Sequence, residues 1–376
     1  MKIKFIGQKG IPATFGGVEY HVENLACELA AMGHEVEVYV RAWYTPKTAK
    51  ELRGVRLIHV PTIKGKHLDA SVHSLLCSLH ALFSRKCVIH YHGIGPAFFS
   101  IIPRIAGKRT VATIHRLDWA TEKWGALARK CLQLGERVAA RLPHETIVVS
   151  KGLRQYVKEK HGRETHHISH GIELPEVVTP DVITQKYGLK GNDYILFMGR
   201  LSPEKRVDWV IQAFKNIRIP AVYSRGVKLV IAGGTSATDD YVSRLHQDGS
   251  GNDRILFTGY VTGKEKAELL SNALVFVMPS SLEGYPIALL EGKSYGRCCL
   301  VSDILPHQEA LEDGNDGRMF DQHNFEAFSA ALQDLLNHPE TIREIGAKAR
   351  RFMEGQPGWV DVARETEHVY SKLNKP

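Results

Sequence analysis

The feature that most constrains the fold is an alternation. Short apolar runs of buried-strand character are separated, repeatedly, by segments whose apolar residues recur at helical intervals. In the first half the strand-like runs are Lys2–Gly7, Glu35–Val40, Val55–Val60, Cys87–His90, Thr110–Ile114 and Thr146–Val149. Between the first two, a helix is expected over Glu19–Met32, with Val22, Leu25, Leu29 and Met32 on one face and Gly33 as its C-terminal cap. In the second half the runs are Tyr194–Met198, Val227–Ala232, Ile255–Thr258, Leu274–Met278 and Cys299–Ser302, and a last helix is expected over Trp359–Leu373. Strands and helices in strict alternation form parallel sheets with right-handed crossovers and helices on both faces. One core seldom serves more than about 250–300 residues. A chain of 376 residues is therefore expected to hold two such doubly wound domains, 1–176 and 185–357, with Pro175 and Pro180 marking the boundary.

Composition narrows the function classes. With 43% hydrophobic and 24% charged residues the chain belongs among soluble globular proteins. It has no run near the roughly 18 apolar residues of a membrane span, and its first residues read as a strand rather than a signal peptide, so a cytoplasmic location is expected. Cys27, Cys77, Cys87, Cys131, Cys298 and Cys299 contain no C-x-x-C pair and read as reduced, packed thiols. The formal net charge of +8 calls for an anionic partner. Its basic residues are scattered, without zinc-ligand spacing or an RNA-binding aromatic signature, which argues against nucleic acid. A phosphorylated substrate or an acidic membrane face fits better. Lys123–Arg141 sets Trp124, Leu127, Leu132, Leu134 and Val138 among Lys123, Arg129, Lys130, Arg137 and Arg141, the pattern of a basic helix lying on the inner face of a membrane. The apolar segments Leu75–Phe83 and Gly95–Ile105 read as buried crossover helices.

The densest chemistry lies between Met278 and Gly292. The strand Leu274–Met278 leads into Pro279-Ser280-Ser281-Leu282-Glu283-Gly284-Tyr285-Pro286, and a helix is expected to begin at Pro286, whose fixed φ suits a first helical residue. The backbone N–H groups of Gly284, Tyr285 and Ile287, with the positive end of the helix dipole, form a ready anion site between two carboxylates, Glu283 in the loop and Glu291 on the helix. That combination suits a sugar-bearing nucleotide: Glu291 for ribose hydroxyls, the N–H groups for phosphates, Glu283 for the sugar. A loop carboxylate and an ordinary surface glutamate are the plainer reading of the same residues.

Glu283-Gly284-Tyr285-Pro286 followed by Glu291 resembles the E-x7-E signature of retaining glycosyltransferases, in particular glycosyltransferase family 4. Gly199-Arg200-Leu201-Ser202-Pro203-Glu204-Lys205 is similar to the family's G-R-L-x-x-E-K element. Gly16-Gly17, before the first helix, resembles the glycine-rich loop that reaches the donor diphosphate from the opposite domain. The resemblance covers nearly the whole chain. It implies an α/β GT-B fold, two Rossmann-like domains facing a central cleft, with the C-terminal helix (358–376) packing back on the first. It also implies retention of anomeric configuration, with a nucleoside-diphosphate sugar held mainly by the second domain and a saccharide or lipid-linked acceptor by the first, in cell-surface polysaccharide or glycolipid synthesis. Arg200 and Lys205 would offset charge on the leaving diphosphate, Arg as a planar fork and Lys as a point charge. No cofactor and no metal are expected.

His115 follows the strand Thr110–Ile114, where open α/β sheets bind ligands, and there the family carries a residue near the reacting sugar. His90 and His92 are weaker candidates. His161, His166, His167 and His170 have no cysteine or carboxylate at metal-site spacing and read as loop and linker. His170-Gly171 stands where the family has asparagine and glycine, and Gly296-Arg297-Cys298 lacks its proline. Gly233-Gly234 and Gly259-Tyr260-Val261 fall where such a fold receives the base, and Glu309 has no assigned role. A sugar-nucleotide epimerase on the same architecture and an inactive membrane-associated scaffold are the alternatives.

Overall fold

The computed structural model describes residues 1–63, 65, 68–121, 124–224, 226–234, 239–312 and 314–373. The chain divides into two compact units, Met1–Gly171 together with the chain from Pro357 on, and Ile172–Gln356.

The first unit carries strands β1 (Lys2–Ile6), β2 (Glu35–Arg41), β3 (Glu51–Leu52), β4 (Val55–Val60), β5 (Cys87–His92), β6 (Arg109–Ile114), β7 (Glu145–Val148) and β8 (His166–His167), in the order β3-β4-β2-β1-β5-β6-β7-β8. Neighbours run parallel except β3 and β4, an antiparallel hairpin whose two turn residues, Arg53 and Gly54, both have positive φ. Ile3, Phe5 and Ile6 on the central β1 are fully buried, and Lys4 between them is ion-paired to Glu37 of β2. A charge at that depth is tolerated only because its partner is covered with it. The helix Trp359–Lys372 packs on the helix Gly17–Ala31. Trp359, Val362, Ala363, Val369 and Tyr370 enter this core, and the Tyr370 hydroxyl lies 2.6 Å from His90 Nδ1.

The second unit carries β9 (Tyr194–Met198), β10 (Lys228–Ala232), β11 (Ile255–Gly259), β12 (Val275–Met278), β13 (Cys298–Ser302) and β14 (Arg318–Phe320), all parallel, in the order β11-β10-β9-β12-β13-β14. Both faces are covered. Ile195, Phe197, Leu229, Ile231, Val275, Val277 and Leu300 pack on one side, while Leu196, Val230, Phe276, Met278 and Val301 pack on the other. Strand pleating sends the adjacent Cys298 and Cys299 to opposite faces, which precludes a close pairing of their side chains.

Three expectations are corrected at this level. His166 and His167 are not loop: they form β8, paired with Ile147 and Val148, and His161 closes the helix Lys151–His161 with its Nε2 2.5 Å from Glu136. A two-residue edge strand needs no apolar run, so nothing in the pattern marked it. Cys131 is not packed but exposed. The crossover segments are not wholly buried, since Phe83 is 88% and Ile105 82% exposed. The basic helix spans Ala126–Arg141, with Leu127, Leu134, Arg129, Lys130, Arg137 and Arg141 exposed and its other face resting on Gly135, Glu136, Ala139 and Ala140. Lys123 lies outside the described residues. Among the described residues no helix is long and apolar enough to cross a membrane.

Candidate active site

In the second unit the chain winds outward from β9 through β10 to β11, then returns to β12 on the other side of β9. Ligands bind beyond the carboxyl ends of the strands at such a switch point. The loops leaving β9 and β12 carry Gly199–Arg206 and Pro279–Pro286. They are stitched together: Ser281 N donates to Glu204 O at 2.8 Å, and its hydroxyl to the same oxygen at 3.3 Å. The first loop contains the 3-10 turn Pro203–Lys205, and Arg206 takes a left-handed φ of 49° before the helix Val207–Asn216.

This stitching brings Lys205 onto Glu283. The two form an ion pair, with 12% and 9% of their side chains exposed. Burial pushes the Glu283 carboxyl up, but Lys205 and the neighbouring His307 pull it below its ordinary value, so it is ionised at neutral pH. Arg200 Nη2 stands 3.9 Å from Glu204 Oε1 on the same loop. His307, which sequence reasoning missed, is fully buried, and burial lowers its pKa to about 4. Its Nδ1 lies 2.9 Å from Ser302 O, an oxygen that can only accept. The proton therefore sits on Nδ1 and the lone pair on Nε2.

The helix after this loop begins at Ile287 rather than Pro286, whose φ of −83° and ψ of 93° place it as an extended cap. The proline still terminates the loop, because its oxygen accepts from Leu289 N at 3.0 Å. Glu291 is 20% exposed and bound by Lys266 at 2.5 Å, a cation from the preceding crossover helix that sequence reasoning also missed. Two residues further along the helix, Lys293 forms with Asp316 a fully buried pair at 2.5 Å that pins the helix. Burial, with the charges of Glu309 and Asp316, pushes the Tyr285 hydroxyl up to about 12. Gly233 has a φ of 151°, and a Cβ there would lie 1.8 Å from Gly199 O. That close approach lets Leu201 N donate to Gly234 O at 3.0 Å and seats the 43%-exposed Tyr260 against Gly234.

In the first unit the switch point lies between β1 and β5. Gly16 caps the helix Gly17–Ala31 with a φ of 103°, and a Cβ on it would lie 1.9 Å from Glu19 Oε2. Glu19 also accepts from Lys9 N at 3.0 Å, so the chain's own carboxylate holds the glycine loop against the helix start. His115, 6% exposed, follows β6, and its Nε2 is 3.0 Å from Nδ1 of His92, the last residue of β5. His21, on the first helix, meets His115 with ring centroids 4.9 Å apart, and its Nδ1 is 2.9 Å from His170 Nδ1. Burial, then the neighbouring imidazoles, holds His21, His92 and His115 well below their ordinary pKa, so all three are neutral. His170, expected in a linker, stacks on His115 with centroids 5.8 Å apart.

Two parallel α/β units of this topology, each with its loop cluster at a switch point, make up a GT-B fold. Residues 15–175 match the family model for Glycosyltransferase Family 4 and residues 181–352 that for Glycosyl transferases group 1. The chain belongs to glycosyltransferase family 4. It is 24% identical to alpha-maltose-1-phosphate synthase of Mycolicibacterium smegmatis, covering 100% of both chains. Sucrose-phosphate synthase from Thermosynechococcus elongatus superposes with a TM-score of 0.84 at 19% identity, over 99% of this chain and 98% of the other. The Anabaena protein HepE, solved in complex with UDP-glucose, superposes with a TM-score of 0.81 at 17% identity, over 99% and 100%.

Proposed function

We propose that this glycosyltransferase moves a sugar, with retention, from a nucleoside-diphosphate donor to a saccharide or lipid-linked acceptor in cell-surface polysaccharide or glycolipid synthesis. The observation that carries the reading is the Lys205–Glu283 pair at the β9/β12 switch point, a cation and an ionised carboxylate held together by two hydrogen-bonded loops. Charge already in place costs no reorganisation when the anomeric bond breaks. Lys205 and Arg200 take the diphosphate, joined by the helix start around Gly284, Tyr285, Pro286 and Ile287. Glu283 orients the sugar, Glu291 takes ribose hydroxyls in exchange for Lys266, and Tyr260 borders the base. In the first unit, which we assign to the acceptor, His115 serves the reacting carbon and Gly16-Gly17 forms a second anion-binding turn. The relatives named maltose-1-phosphate synthase and sucrose-phosphate synthase, and the UDP-glucose complex, support a sugar-nucleotide donor and a saccharide acceptor. The cationic side chains stand in for a divalent ion, so no metal cofactor is invoked.

A melting screen with uridine, guanosine and thymidine diphosphates, run with a chelator present, tests the donor site. One of them is expected to stabilise the chain by RT ln(1 + [L]/Kd), about 2.7 kcal/mol at a hundredfold excess over Kd. Identical melting with all three would remove the reading. Product that forms without a second sugar would instead favour an epimerase.

The exposed stripe Leu127, Lys130, Cys131, Leu134, at helical spacings of three, one and three, supports peripheral docking on an anionic bilayer. Near such a surface each Lys or Arg contributes about 1 kcal/mol. The chain is expected to float with anionic liposomes and to lose most of that binding in Leu127→Glu/Leu134→Glu. Equal recovery with neutral and anionic vesicles would rule the surface out.

A further inference from the structure

One nitrogen from each of His21, His92 and His115 lies within 4.8 Å of the other two, and all three side chains are buried. Three neutral imidazoles converging from a helix and two adjacent strand ends are unusual as mere packing, because each carries a lone pair that needs a donor. The His92–His115 contact makes the deficit explicit. Of the two protons this neutral pair carries, one is shared between His92 Nδ1 and His115 Nε2. The outer nitrogens, His92 Nε2 and His115 Nδ1, are buried and make no hydrogen bond among the described residues. Whichever ring donates, its outer nitrogen is a bare lone pair with no partner.

That bare outer nitrogen can take the shared proton, which leaves lone pairs on both facing nitrogens, His92 Nδ1 and His115 Nε2, free to turn to one Lewis acid. Neutral imidazole is the usual ligand of zinc and its neighbours, and three protein ligands with an open fourth position are a recognised zinc arrangement. Two nitrogens bound at 2.0–2.1 Å to one tetrahedral ion stand roughly 3.3 Å apart, close to the 3.0 Å between His92 and His115. His170, whose Nδ1 lies 2.9 Å from His21 Nδ1, supplies the outer contact that orients His21, and its ring stacks on His115.

We propose that His21, His92 and His115 bind a divalent transition cation of the zinc class, and that occupancy inhibits transfer by withdrawing His115. Binding rests on the convergence of the three rings and on their unpartnered nitrogens. The inhibition rests on the role assigned to His115 above.

The test is a cobalt(II) titration of the tag-free full-length chain, read by the visible bands of tetrahedral cobalt. One equivalent is expected to bind and to be displaced by zinc. His21→Gln and His92→Gln, folded by circular dichroism, should each lose more than the roughly 10–100-fold in affinity that a disturbed outer contact costs. Absent bands, or bands untouched by either substitution, would overturn the site. Should a variant fail to fold, the wild-type chain decides: its melting temperature must rise with micromolar zinc, and a flat response counts against the proposal. Zinc that binds as described yet leaves transfer unchanged keeps the site and removes the role of His115.

Discussion

Lys205→Ala is expected to lower kcat by about 10²–10³-fold, the loss typical when one preorganised charge-stabilising group is removed. The expectation follows from how the ammonium is held. It is 12% exposed, its loop is tied to the Glu283 loop through Ser281 and Glu204, and its partner is a carboxylate kept ionised. A group positioned before the reaction contributes most where charge develops, so the deficit should fall on kcat more than on KM. Lys205→Arg keeps the charge but not the point geometry and should recover only part of the rate. The substitution also strands Glu283. Burial, the largest influence on that carboxyl, pushes its pKa up and is now outweighed by Lys205 and His307. Without Lys205 the pKa rises. The wild-type carboxylate contributes stability that is present above its unfolded value of about 4.5 and lost as pH falls through the lowered folded one. In the variant an ionised Glu283 costs stability at neutral pH, and protonation relieves it. The melting difference between the two proteins should therefore be widest near neutrality and narrow below about pH 4.5. Normal transfer by a folded Lys205→Ala chain would detach this lysine from the diphosphate.

What the sequence disclosed, and what it withheld, divides along physical lines. A strand buried on both faces must be apolar at nearly every position, and β9 was readable at both ends for that reason. The two-residue β3 and β8 and the three-residue β14 lie at or near sheet edges, where hydrogen bonding does not require an apolar run. Pro286 was legible as a boundary but not as a cap, because a fixed φ is compatible with both. In the site, Lys205 and Glu283 were legible through motifs that belong to one loop each. Lys266 on Glu291, His307 beside Glu283 and the meeting of His21 with His115 were not. Those contacts join separate segments through parallel crossovers, and no local spacing encodes which residues a crossover sets side by side. His170 misled for a related reason: four histidines near one another in sequence looked like solvated linker, yet this one is covered by the first unit's core.

Acidification should destabilise both units well before carboxylates titrate. His73, on the helix Asp69–Ala81 of the first unit, and His307, in the second, are fully buried, and burial lowers each to about 4. The unfolded chain takes up these protons near the ordinary value of 6.5, while the folded chain refuses them until about 4. Between those values the unfolded state binds more protons, so stability falls as pH falls. Each pKa unit is worth about 1.36 kcal/mol, so lowering the pH from 6.5 to 5 costs roughly 2 kcal/mol per histidine. That is a large share of the ~5–15 kcal/mol by which a domain is stable. Calorimetry between pH 7 and 5 should show the transitions of both units moving down together. His307→Gln, uncharged throughout, should flatten the response of the second unit alone, whereas His73→Gln should remove only part of the first unit's, because the buried His21, His90, His92 and His115 refuse protons there as well. If instead melting is level across that range, or a single substitution flattens both transitions, neutral buried histidines are not what limits this protein in acid.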